Sequence, residues 1–268
     1  GELDKQLVGI LDKTMVGQEN ATTSFRTFYA RARLAQLLKR KDLADLYLKN
    51  LALNGAKDSS ALSPRLLEIC GDILLKAGDL DGAEAMFKRL RDHFPDALNH
   101  DAGAVGLGCV ALGRKKPDAA LKIFGNNMAA NPGISVFQKA SLGKLQALMD
   151  LDELEPAEKL AEEIISDRKC RGETAGKAYL QLARIYRKQA AKAEGEQSRG
   201  LLKKAHAIYI RVFIMFKGYP DISAEGIWEA SEIAKELGDE ELRQKNLKDL
   251  LAEPKLRDNE FFKKVEKE

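Results

Sequence analysis

The stretch GDILLKAGDLDGAEAMFKRLRDHFP, residues 71–95, decides how this chain is read, because its framework returns as GCVALGRKKPDAALKIFGNNMAANP in residues 108–132. Gly71, Ala83, Phe87 and Pro95 of the first copy correspond to Gly108, Ala120, Phe124 and Pro132 of the second. The intervals are 12, 4 and 8 residues in both, and the offset is 37. Self-similarity at such a period marks a repeat architecture. In a helical hairpin each position has a physical role. The glycine lets the first helix close on the second, and the alanine is the small residue that faces it. The phenylalanine, one turn later on the same face, fills the space between the helices. The proline stands past the end of the second helix, which it cannot continue.

Helix punctuation agrees. Ser63-Pro64 reads as a helix start, with the serine as cap and the proline in the first turn. Gly78-Asp79 breaks the first helix, and Asp81 with Glu84 is close to a capping box for the second. Pro117 and Pro156 occupy similar helix-start positions.

These residues resemble the tetratricopeptide repeat family, whose pattern of Trp, Leu-Gly, Tyr, Ala, Phe and Pro recurs over roughly 34 residues. Tyr179, Leu182, Ala183 and Tyr186 match its first half, with Tyr for Trp and Ala for Gly; Leu67, Cys70, Gly71 and Leu74 match it more loosely. The resemblance implies an all-α, right-handed α-solenoid of about six hairpins, at about 25–58, 64–97, 101–134, 135–170, 173–220 and 221–254. The fifth carries a polar insertion, Gln189 to Gly200, between its helices. An amphipathic N-terminal helix within 1–24 (Leu3, Leu7, Leu11, Met15) and a charged C-terminal tail, 255–268, read as caps of the kind solenoids need. The segment Ile208 to Phe216 is apolar except for Arg211. The repeat register makes it helix rather than strand, buried on most sides near the centre of the stack.

Composition fits a folded chain: 268 residues, 44% hydrophobic and 32% charged, with only 7 prolines. Forty-four basic against 41 acidic residues leave a net charge of +3, which gives no push toward nucleic acid, and none is expected as a partner. The basic cluster Arg26, Arg31, Arg33, Lys39, Arg40 and Lys41 reads as a solvated helix face. Cys70, Cys109 and Cys170 are too few and too far apart for a disulfide framework or a zinc site; Cys70 and Cys109 read as core. No apolar run spans a bilayer. The chain begins at Gly1, and with a leader removed the bacterial periplasm or cell envelope is favoured over the cytoplasm.

No catalytic set stands out. His93, His100 and His206 lack ligand spacing, and no phosphate-cradling glycine loop or nucleophile elbow is present. Gly103, Gly106 and Gly108 begin like a glycine fingerprint, but no strand precedes them. Glu162-Glu163 and Glu240-Glu241 read as solvated faces. A helical-toroid enzyme acting on glycans wants carboxylates in an aromatic-lined cleft, and a single Trp argues against it. No enzyme activity, cofactor or metal is expected.

What the family resemblance implies is a protein-binding scaffold whose concave groove, lined by first helices, takes a peptide or a partner helix. In the fifth hairpin the open face shows Lys177, Gln181, Arg184 and Lys188, spaced 4, 3 and 4, with Arg187 beside them. In the first it shows Arg26, Tyr29 and Arg33, with Glu68 and Asp72 on the neighbour. Such a stripe implies an acidic or carboxylate-ended ligand. Val105, Cys109 and Leu112 would floor an apolar groove or, preferably, pack on the adjacent repeat. The alternative is a structural, self-associating envelope-assembly component, a homo-oligomer paired through the solenoid ends or the apolar helix near 208–216.

Overall fold

The computed structural model describes residues 21–38, 40–129 and 133–266. The proposed N-terminal cap residues Leu3 to Met15, Lys39 and Pro132 lie outside them. The described residues are helical, with no strand among them, and the chain divides into two compact units, 1–140 and 141–268.

The first unit contains the hairpins α1 (Ala21–Leu37) with α2 (Lys41–Lys57), α3 (Pro64–Lys76) with α4 (Leu80–His93), and α5 (Ala97–Gly113) with α6 (Pro117–Ala129). Helix α7 (Ile134–Asp150) begins in the first unit and ends in the second. There it leads into α8 (Leu154–Ser166), followed by α9 (Glu173–Ala190) with α10 (Gly195–Met215), and α11 (Pro220–Glu236) with α12 (Glu240–Ala252). A 3-10 turn (Pro254–Leu256) and α13 (Glu260–Val265) close the described chain. The all-α architecture of consecutive hairpins is the one the repeat implied.

The glycines explain why the hairpins close. A β-carbon on Gly71 would stand 2.6 Å from Cζ of Phe87, and one on Gly108 would stand 2.6 Å from Cε1 of Phe124. Both rings and both facing alanines, Ala83 and Ala120, are fully buried. Burying a phenylalanine in this way contributes about 1.5–3 kcal/mol. Gly106 also closes on the Phe87 ring, and Gly103 lies against the backbone of Arg91. The glycine series of α5 is therefore a packing surface.

Four first helices end on the same turn. Gly78, Lys115, Asp152 and Gly238 adopt positive φ, at 81°, 56°, 63° and 73°. The next N–H bonds back five residues in each case: Asp79 to Leu74 O, Lys116 to Ala111 O, Glu153 to Leu148 O, and Asp239 to Ala234 O, at 2.9–3.0 Å. This is a Schellman closure, which satisfies carbonyls the helix leaves open.

Two capping expectations are corrected. Pro64 opens α3, but the Ser63 side chain makes no capping bond. The cap of α4 is Asp79, which accepts from Gly82 N at 2.9 Å; Asp81 lies inside the first turn and, with Glu84, holds Arg114 at 2.5 and 2.6 Å. The polar segment 189–200 is also mostly helical: α9 runs to Ala190 and α10 resumes at Gly195.

The segment 208–216 is helical, as its register required, but it is not buried on most sides. Tyr209, Val212 and Phe216 are covered between α9 and α11, while Ile214 and Met215 remain about 60% exposed. Only one face of α10 meets its neighbours. Residues 255–266 bury Leu256 and Phe262 against Ala224, Ile227 and Leu250, and Phe261 stacks on Trp228 with ring centres 5.9 Å apart. They form a folded end to α11 and α12.

A candidate binding cleft on the first helices of the second unit

In α9 the side chains of Ala178, Leu180, Leu182, Ala183 and Ile185 go to the core, which leaves Lys177, Gln181, Arg184 and Lys188 on the open side. On α11 the core takes Ile222, Gly226, Ile227, Ala230 and Ile233. That leaves Glu225, Glu229, Glu232 and Glu236, at the same 4, 3 and 4 spacing as the basic stripe. The helical period alone produces both stripes.

Packing sets them against each other. Arg184 donates to Glu225, and Arg187 donates to Glu229 at 2.8 Å and to Glu236. On the other side Gln181 Nε2 donates to Gln146 Oε1 of α7 at 2.8 Å, and Gln146 Nε2 donates to Asp150 Oδ1 at 2.7 Å. Arg184 also donates to Gln181 Oε1, at 3.3 Å. The result is one hydrogen-bonded ladder, Asp150–Gln146–Gln181–Arg184–Glu225, across three successive first helices. Lys188 Nζ donates to the Met149 carbonyl at 2.9 Å, and Lys177 pairs with Glu173 of its own helix at 2.5 Å. The ladder borders a cleft of about 530 Å³ lined by Gln146, Met149, Asp150, Gln181, Arg184, Arg187, Lys188, Ala191 and Glu229.

The electrostatics follow from this pairing. Burial works against the charge of Arg187, but the hydrogen bond and charge of Glu236, with Glu229, keep its pKa raised. Burial pushes the Glu225 carboxyl above the usual carboxylate range even though Arg184 opposes it. Tyr209 of α10, packed between α9 and α11, is fully buried, and its hydroxyl has no hydrogen-bond partner. Tyr186 faces the other way: it donates to Glu158 at 2.8 Å, and burial followed by that bond raises its pKa to about 12. Tyr179 lies in the core, its ring centre 5.9 Å from that of Phe216.

The predicted residues Lys177, Arg184, Arg187 and Lys188 thus share one face, but it is not the unopposed basic stripe that sequence suggested. Each cation meets a carboxylate or carbonyl from its own unit, so the argument for an acidic ligand is lost. The other predicted group, Arg26, Tyr29 and Arg33, belongs to α1 of the first unit. Arg26 is exposed, Tyr29 is half-buried, and Arg33 donates to Gln36 at 2.9 Å. Arg31 turns inward, over the Tyr47 ring. Elsewhere in that unit Lys139 reaches Asp72 at 2.5 Å and lies 5.1 Å from the Phe87 ring centre. Val105 is fully buried and Cys109 half-buried, with burial raising its thiol pKa to about 11. That is the packing reading of the α5 face.

Among the described residues no group of His, Cys, Asp and Glu is placed to hold a metal, and no helix is long and apolar enough to cross a membrane. Gln146, Glu225, Glu229, Glu236 and Tyr209 escaped the sequence reading. The acidic stripe was visible as a period. Its meeting with α9, across 41 and 42 residues of sequence, was not.

No protein-family profile matches the chain, and no curated protein does. Solved structures do. The human IFIT1 dimer with m7Gppp-AAAA is 14% identical with a TM-score of 0.46, over 93% of this chain and 65% of that one. The dimer with PPP-AAAA is 15% identical with a TM-score of 0.45, over 93% and 64%. The chain therefore spans less than two thirds of those proteins. They are complexes with RNA, and the expectation of no nucleic-acid partner is withdrawn. Physically, that expectation rested on net charge, a whole-chain sum that does not report the local field of a groove.

Proposed function

We propose that this chain is a non-catalytic binding scaffold that holds an extended segment of a partner protein along α7, α9 and α11. The observation that carries the reading is the ladder Asp150–Gln146–Gln181–Arg184–Glu225, which repeats polar contacts from one first helix to the next. Packed helices lie about 8–10 Å apart, and an extended chain advances about 3.3 Å per residue. Each hairpin therefore meets about three residues of a segment laid across it. The cleft volume falls in the range of ordinary ligand sites, about 300–1,000 Å³. Carboxamides such as Gln146 and Gln181 can both donate to and accept from a peptide backbone.

The test is to pan a displayed peptide library on the full chain and on a Gln146→Ala/Gln181→Ala variant. A 5′-triphosphate single-stranded RNA serves as a second probe. Enrichment of peptides by the parent, lost in the variant, supports the reading. RNA binding with no peptide enriched would replace it with a nucleic-acid scaffold.

A further inference from the structure

The second helices of the same unit carry a groove that shares no lining residue with the cleft above. It lies between α10 and α12 and holds about 560 Å³, within the range of ordinary ligand sites, about 300–1,000 Å³. Ile210 and Phe213 of α10 are half-buried there, packed against Ala224, Ile227 and Leu250. Ile214 also lines the groove and is 59% exposed, and Leu242 lines it from α12. Two contacts cross the groove. His206 meets Asn246 at 3.0 Å, and Lys217 meets Glu253 at 3.3 Å. His206 and Lys217 are roughly three helical turns apart in sequence.

One polar atom of this groove is left open. Asn246 is only 2% exposed. Its NH2 can only donate, so the His206 nitrogen facing it accepts. The other end of the amide, Oδ1, takes no hydrogen bond from any described residue, yet it is not sealed from solvent. With the rest of the side chain covered, that oxygen opens on the groove that Asn246 lines. A buried amide oxygen ordinarily has a donor. The charges of the lining cancel, Lys217 and Lys245 against Asp249 and Glu253. An ion of either sign would leave water for the wall of Ile210, Phe213, Ile214 and Leu242 with no net field to offset the loss.

We propose that the groove between α10 and α12 is a binding site for an uncharged small molecule with an apolar body and one hydrogen-bond donor. The body lies against Ile210, Phe213, Ile214 and Leu242, and the donor bonds to Asn246 Oδ1. His206 is a positioning residue: by taking the Asn246 NH2 it leaves the amide oxygen for the ligand. The site is separate from the segment held along α7, α9 and α11, and either stands without the other.

The experiment uses the full chain and three fluorescent probes whose emission rises on burial. N-phenylnaphthylamine is uncharged and carries one N–H, its N-methyl derivative lacks that donor, and anilinonaphthalene sulfonate keeps the N–H but is an anion. The uncharged N–H probe should bind about threefold to tenfold tighter than the N-methyl probe, the worth of one hydrogen bond, and tighter than the sulfonate. Asn246→Leu should erase the preference for N–H, whereas a clash with the added methyl would preserve it. Ile214→Gln should weaken the N–H probe by about threefold or more. Met215→Gln, equally exposed at 60% but outside the lining, should leave it unchanged. If Asn246→Leu does not fold, the two uncharged probes on the parent and Ile214→Gln still decide. Equal affinity for those two probes, tighter binding of the sulfonate, or indifference to Ile214→Gln overturns the proposal. A parent that takes up no probe overturns it too, and if that parent is a dimer that Ile214→Gln disperses, the groove belongs to a second copy.

Discussion

Gly71 of α3 holds its backbone so near the ring of Phe87 in α4 that a β-carbon there would stand 2.6 Å from Cζ. Gly106 of α5 closes on the same ring, where a β-carbon would stand 2.2 Å from Cδ1. The fully buried ring therefore leaves no room for a β-carbon at either glycine. Gly106→Ala gains about 1 kcal/mol of helix propensity but forces an overpacked core, at a cost of about 1–3 kcal/mol. The expected result is a net loss of up to about 2 kcal/mol in urea unfolding, with Gly71→Ala in the same direction. Gly125→Ala in α6, where the added carbon meets nothing within 4 Å, should instead stabilise by about 0.5–1 kcal/mol.

Lys115 occupies, at φ 56°, the turn position that Gly78 and Gly238 hold in other hairpins. A left-handed conformation costs a side-chain-bearing residue about 1–2 kcal/mol. Lys115→Gly recovers part of this and loses some to unfolded-chain entropy. A gain of about 0.5–1 kcal/mol is expected, with Gly78→Ala losing a similar amount; thermal melts of the two variants check both signs.

His206 lies half-buried against Asn246, its Nε2 3.0 Å from Nδ2, and burial lowers its pKa from the ordinary 6.5. The unfolded chain therefore takes the proton first as pH falls, and stability is lost below about pH 6.5 until the folded imidazole also protonates. Glu225 acts with the opposite sign. Burial raises its pKa, so its contribution is fully present below the unfolded carboxylate pKa and is lost as pH rises through the folded value. Urea midpoints between about pH 7.5 and about pH 4 should fall less steeply on acidification in His206→Gln than in the parent. Glu225→Gln should remove the opposing gain.

Burial raises the Cys70 thiol to about 12 and that of Cys109 to about 11, and it also raises Cys170. Since the thiolate is the nucleophile, all three should react slowly with a disulfide reagent in the folded chain at neutral pH and promptly in urea. Fast labelling of one thiol in the native chain would show that its part of the chain opens locally.

The hairpins were legible because their determinants are local. A glycine, an alanine and a phenylalanine at fixed intervals specify which helix faces meet, and a turn residue one helix-length on specifies where the chain reverses. The cap of α4 shows the limit of that legibility. Asp79 and Asp81 are two residues apart and chemically alike, and the Schellman closure at Gly78 settled which of them reaches the free N–H groups. The open face of α9 was legible for the same reason as the hairpins, through its helical period. Its electrostatic character was not.

The order of residues along the chain was thus enough to establish helices, their pairing into hairpins, and two charged stripes of the same period on α9 and α11. Whether those stripes stand free or oppose each other depends on the packing of first helices 41 and 42 residues apart, through Arg184 to Glu225 and Arg187 to Glu229. The same packing buried Tyr209 of α10 between α9 and α11. A helical period records which side chains share a face. Only the distance between helices determines which charges are near enough to cancel.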